Sequence, residues 1–308
     1  MSANIDLQEL LETQACFGLP SAALVEKDFH VVRALAAIAA AEVAPFHLVF
    51  GGGTALGRAH RLIRRMSEDI DLKIVAEEPV PRPALRRLRE ALTESLLGTG
   101  FRFDPKNSAH RESRNESRYT IYRLPYEPLS RAEGALRPAI QIEMAVWPLR
   151  RPPVELTVSS FVAEAFNRPP EVARIACVSI TQTAAEKLVA LTRRTAAEIA
   201  DADGPRDPAV IRHVYDLHVI RAHYDPAEVA ALAREIMPHD AEIFGHQFPA
   251  YRDNPLLETR RAVAGLVADA RFAQRYAEFC RVMVYGDQPS YTDALTTISA
   301  LAERLGPV

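Results

Sequence analysis

The chain has 308 residues, 48% hydrophobic and 25% charged, enough for a sizeable core in one large domain or two lobes. Its 37 basic and 40 acidic residues leave a net charge of -3, which excludes a strongly basic, nucleic-acid-coating protein but not a local basic patch. The longest uncharged apolar run, Ala34 to Ala41, is too short to span a bilayer, no basic leader opens the chain, and Cys16, Cys177 and Cys280 show no metal spacing. These features predict a reduced, cytoplasmic protein without membrane contact.

Helical spacing covers Asp6 to Thr13 and Ser21 to Glu42, with Ser21 placed as an N-cap. His47 to Phe50 reads as a short strand that stops at Gly51-Gly52-Gly53-Thr54, and a helical stretch follows to about Leu62. Asp69 to Val75 alternates strictly, with Asp69, Asp71 and Lys73 on one face and Ile70, Leu72 and Ile74 on the other, as a half-buried strand does. Pro83 to Leu97 is a helix ending at Gly98 and Gly100. Phe101 to Phe103, Arg118 to Arg123 and Ala139 to Val146 read as strands, the last with Gln141 and Glu143 on its polar face. Beyond Ile180 the chain reads almost wholly helical. This implies an α+β protein: a mixed-sheet lobe with N-terminal helices over residues 1–160, and a mainly helical lobe over 161–308.

Three features carry chemistry. Glycines between a strand and a helix let a ligand approach the backbone; Gly52 and Gly53 would present N–H groups to an anion, with the Thr54 hydroxyl as a further donor. A tight structural turn is the competing reading. Asp69 and Asp71, two apart on a strand, project carboxylates to one side, where a divalent cation relieves their repulsion; a solvated polar face is the alternative. Glu143 completes a three-carboxylate metal site if its strand neighbours that of Asp69. Arg58, Arg61, Arg64 and Arg65 form a basic run suited to a phosphate backbone, or else a solvated helix face.

The order of these parts resembles the DNA polymerase β-type nucleotidyltransferases. Phe50-Gly51-Gly52-Gly53-Thr54-Ala55-Leu56, followed by Arg65-Met66-Ser67-Glu68-Asp69-Ile70-Asp71-Leu72, is similar to the AbiEii/AbiGii toxin-type nucleotidyltransferase family. So are Val25-Glu26-Lys27-Asp28-Phe29 upstream and Lys187, Ala190, Leu191 and Arg194 downstream, the latter on one face of a helix opened by Thr183 and Glu186. Arg212-His213-Val214-Tyr215-Asp216-Leu217 resembles the family's Arg-Asp-x-x-Asp-Leu block, with His213 replacing the first acid.

The resemblance implies a toxin of a toxin–antitoxin or abortive-infection system with a cognate antitoxin. It implies transfer of NMP from an NTP, with Mg2+ or Mn2+, to RNA, foremost the tRNA 3′ acceptor end. Asp69, Asp71 and Glu143 would hold the metal. Gly52, Gly53, Thr54, Ser67, Lys187 and Arg194 would hold the nucleotide, and Asp216 would orient Lys187 or act as a base. Two alternatives stand beside it: the same chemistry on a protein or small-molecule hydroxyl, or a non-catalytic nucleotide-binding module.

Overall fold

A computed structural model describes residues 5–77, 80–130, 137–201, 203–204, 206–246 and 248–306. They divide into two compact units. The first comprises residues up to Arg61 and Met66–Val178; the second comprises Leu62–Arg65 and the chain from Ser179 onward.

The first unit opens with α1 (Leu7–Phe17) and α2 (Ala22–Ala39). Asp6 caps α1 through its side chain, whereas Ser21 occupies the cap position of α2 without a side-chain bond. Strand β1 (His47–Gly51) runs into a single α-turn, α3 (Gly52–Thr54), which continues as a π-helical stretch, Ala55–Ala59. Then come β2 (Asp69–Val75), α4 (Arg82–Gly98), β3 (Arg111–Arg114), β4 (Tyr119–Pro125), β5 (Ala139–Val146), β6 (Val154–Val158), α5 (Phe161–Ala165) and β7 (Val172–Cys177).

The seven strands form one mixed sheet in the order β3-β4-β5-β2-β1-β7-β6. At its centre β2 pairs antiparallel with β1 and parallel with β5. Ile70, Leu72, Ile74, Ile140, Ile142 and Met144 are buried on one face, in the same cluster as Val32 and Leu35 of α2 and Leu85 and Leu92 of α4. Each such side chain contributes about 1.5–3 kcal/mol of burial. The alternating partners are half-buried on the other face. Phe101 and Phe103, expected in a strand, are buried in that core but join no ladder. Their aromatic side chains supply apolar surface, which a β pattern shares.

Three consecutive charged residues of α2 are buried: Glu26, Lys27 and Asp28. Glu26 accepts from the backbone N–H groups of Leu129 and Ser130. Lys27 donates to the carbonyls of Arg137 and Ala139 and pairs with Glu68. Asp28 accepts from the Phe161 N–H at 2.7 Å and pairs with Arg58 at 3.4 Å. Burial pushes the Asp28 carboxyl up to about 6, against the opposing pull of Arg58 and the Phe161 N–H. The native state therefore holds this proton more tightly than the unfolded chain, so stability from this group is greatest below about pH 4 and declines as pH rises to about 6. Asp28→Asn, which cannot titrate, is expected to flatten that part of the stability profile, as read by thermal melts across the range.

The second unit is helical: α6 (Ile180–Ala200), α7 (Pro208–Val219), α8 (Pro226–Phe244), α9 (Pro249–Asp253), α10 (Pro255–Ala268), α11 (Ala270–Met283) and α12 (Tyr291–Glu303). Ser179 caps α6 by accepting from the Gln182 N–H, so the helix begins one turn before the predicted Thr183–Glu186 box. Leu188 and Leu191 of α6, Val214 and Leu217 of α7 and Leu232 of α8 are fully buried. Leu62–Arg65 joins this unit by a β-bridge between Arg65 and Val284. Among the described residues no helix is long and apolar enough to cross a membrane.

Candidate functional site

The alternation of β2 places Asp69 and Asp71 on the face turned away from the core. In the ladder with β5, Asp69 lies opposite Gln141 and Asp71 opposite Glu143. Directly opposed residues share a face, so the structure brings all three carboxylate-bearing positions together on two neighbouring strands.

Glu143 is held in place. Tyr119 Oη donates to its Oε2 at 2.8 Å and Gln141 Nε2 to its Oε1 at 2.7 Å. Burial, then the bond to Glu143 and its charge, raises the Tyr119 hydroxyl above its ordinary value, so it stays a donor. Tyr119 sits on β4, the strand on the far side of β5 from β2. The sequence offered Gln141 as a polar neighbour on Glu143's own face; nothing local signalled Tyr119.

Gly51 ends β1 opposite Asp71, and Gly52 follows with φ +71°, in the left-handed region that favours glycine. A Cβ built at Gly52 would lie 1.8 Å from Asp71 Oδ2. The carboxylate therefore occupies the space that any other residue would fill. Gly52→Ala is expected to leave the fold assembled but to displace Asp71 by an ångström or more, lowering any reaction that depends on these carboxylates by about 10²-fold. Circular dichroism together with turnover checks both halves.

Several predicted residues serve other ends. Thr54 is buried, and its hydroxyl donates to the Asp69 backbone carbonyl rather than standing open to a phosphate. It fastens the glycine turn to the first residue of β2. Gly53 is buried, and Ser67 lies half-buried in the segment before β2. Arg58, expected on an RNA-facing surface, is buried against Asp28 with its guanidinium 3.6 Å above the Phe161 ring. Of the remaining basic run, Arg61 is exposed with a 3.7 Å pairing to Glu164, and Arg64 is exposed.

The second unit holds a separate buried cluster. Asp216 is fully buried; Arg65 grips it with Nε on Oδ1 and Nη2 on Oδ2, both at 2.6 Å, and Lys187 Nζ lies 2.8 Å from Oδ2. Arg65 is thus an internal counter-ion and not a surface contact. Burial raises the Asp216 carboxyl, but Arg65 and then Lys187 overcome it and hold the group well below the usual carboxylate range. Burial, then Lys187 and Arg194, pushes the His213 imidazole well below its ordinary value, so this histidine stays neutral. A neutral ring here spares the cluster a third cation. Arg194, expected on the nucleotide, pairs with Asp207 at the N-cap of α7.

The donor set of the first unit is all carboxylate oxygen, which suits hard divalent cations such as Mg2+ or Mn2+, and Gly52 lets the Asp71 carboxylate lie against the backbone of the glycine turn. As placed, no three acidic, histidine or cysteine side chains among the described residues converge into a metal-holding group. Glu143 instead has both oxygens engaged by Tyr119 and Gln141.

Residues 33–298 match the family described as nucleotidyl transferase AbiEii toxin, type IV TA system. Among solved structures, the fold is similar to that of MenT4, a nucleotidyltransferase toxin from Mycobacterium tuberculosis. The TM-score is 0.50 at 18% identity, covering 78% of this chain and 71% of that one. A comparison with curated protein sequences finds no match.

Proposed function

The chain belongs to the AbiEii family of nucleotidyltransferase toxins of type IV toxin–antitoxin systems, and from that premise we propose that it transfers NMP from an NTP to RNA, foremost the 3′ acceptor end of tRNA, thereby blocking translation. The observation that carries the reading is the in-register pairing of Asp71 with Glu143, with Asp69 on the same face and the bare Gly52 backbone admitting the Asp71 carboxylate against the glycine turn.

Asp69, Asp71 and Glu143 would hold a divalent cation, Mg2+ or Mn2+. When bound, such an ion neutralises triphosphate charge and favours the deprotonated attacking oxygen. The backbone of Gly52 and Gly53, with Ser67, receives the terminal phosphates, and Thr54 keeps that turn attached to β2. The acceptor hydroxyl gives up its proton to water and its oxygen forms a bond to the α-phosphorus while the bond to the β-phosphate oxygen breaks, releasing pyrophosphate. Lys187 is assigned to the negative charge of the triphosphate, a role that matches its place in the family's Lys-x-x-Ala-Leu-x-x-Arg block. Asp216 orients Lys187: a carboxylate already shared by two cations and held well below its ordinary range is a poor proton acceptor. Arg61 and Arg64, the exposed members of the basic run, are the candidates for RNA backbone contact. A separate antitoxin protein is the expected partner.

Incubation of the purified protein with Mg2+, each labelled NTP and total tRNA, followed by sequencing of RNA 3′ ends, tests this. Nucleotides added at tRNA 3′ ends support it. Label on protein or on a small molecule, and none on RNA, assigns a different acceptor. Absence of label throughout, with Asp69→Ala and Asp71→Ala chains as toxic as the native one, assigns a non-catalytic role.

A further inference from the structure

Lys27 takes no direct part in the chemistry above, yet its surroundings bear on it. Its side chain is 2% exposed on α2. An ammonium carries three donors, and three acceptors surround this one: the Arg137 carbonyl at 2.8 Å, the Ala139 carbonyl, and Glu68 Oε2 at 3.3 Å. The Tyr126 ring lies 6.0 Å away. Glu68 immediately precedes Asp69, the first residue of β2, and Ala139 is the first residue of β5. One buried cation thus fastens the leading ends of the two parallel strands that carry the acids.

The geometry points to Lys27 as a positioning residue that fixes the register between β2 and β5, and through it the alignment of Asp71 with Glu143 on which divalent-cation binding depends. The apolar pattern of the parallel ladder does not by itself set that register. Both strands bury an apolar residue at every second position, so a slip of two keeps the core face apolar. It would, however, move Asp71 about 6.6 Å along the strand, opposite Gln141 or Ala145 instead of Glu143. A cation that must meet Glu68 and the Arg137 and Ala139 carbonyls together admits one register.

This inference rests on the assignment of Asp69, Asp71 and Glu143 to a metal, and its test separates the two. Mn2+ affinity is measured by calorimetry on the full chain without nucleotide, alongside kcat and KM for the preferred NTP. Native protein, Lys27→Met, Lys27→Arg and Asp71→Asn are compared, with circular dichroism to confirm the fold. In folded Lys27→Met, Mn2+ affinity and kcat are each expected to fall by about 10–100-fold while KM for NTP stays within about threefold, as for loss of an outer support of a metal site. Lys27→Arg, which can meet the same acceptors, is expected to recover most of both. If Lys27→Met does not fold, Lys27→Gln takes its place with the same expectation. It can still bond the carbonyls but has no charge for Glu68. Native Mn2+ affinity and kcat in the folded Met or Gln variant overturn the proposal and leave the metal assignment intact. Native protein that binds Mn2+ no better than Asp71→Asn overturns the metal assignment and the proposal with it.

Discussion

Asp71→Asn is expected to abolish nucleotidyl transfer while sparing the fold. The substitution keeps the side chain's shape and its fit beside Gly52 but removes the charge that faces Glu143 across the β2–β5 ladder. Loss of about 4 kcal/mol of transition-state stabilisation corresponds to about 10³-fold in rate. Asp71 is half-buried on the polar face, so the melting temperature should barely move, and a stability change within about 0.5 kcal/mol is expected. Initial rates of labelled nucleotide incorporation, set beside a thermal melt, check both. A variant that transfers at native rates would remove Asp71 from the reaction.

Asp216→Ala is expected to act in the opposite way, through the fold. It leaves Arg65 and Lys187 facing each other in a dry interior without their shared counter-charge. Breaking a buried pair in this manner costs about 3–5 kcal/mol, a fall of roughly 10 °C in melting temperature for a unit of this size. The pH dependence has a definite sign. The native carboxyl is held below its unfolded value, so its contribution is complete above about pH 4 and drains away as the solution becomes more acid. Asp216→Asn, which cannot titrate, should lack that acid limb, as circular dichroism melts from neutral to strongly acid pH will show.

The two acid-bearing strands were legible in the sequence because a half-buried strand prints its period directly. Asp69–Val75 and Ala139–Val146 appear with the bounds the alternation implies. The glycine turn was legible because only glycine tolerates the backbone at Gly52. Strands β6 and β7 were not read, since Val172–Cys177 carries no clean alternation and is paired partly through a bulged neighbour. The basic run misled for a physical reason: a one-dimensional charge pattern does not reveal a counter-ion supplied from elsewhere. Arg58 meets Asp28 from α2, and Arg65 meets Asp216 at a separation of 151 residues. Thr54 was read by its chemistry as a phosphate donor, whereas its burial beside the Asp69 carbonyl assigns the hydroxyl to the backbone.

The buried triplet of α2 also bears on when the sheet-bearing unit can close during synthesis. Besides nearer partners in Glu68 and Arg58, Glu26, Lys27 and Asp28 each bond a group 103, 112 and 133 residues downstream, at Leu129, Ala139 and Phe161. While translation is in progress, α2 emerges long before these three, so its charges lack their full set of buried partners until they follow. A nascent chain stalled or cleaved before Phe161 therefore lacks the N–H that Asp28 accepts. The full anchoring of α2 thus becomes possible only once the chain has been made as far as Phe161, about half of its length.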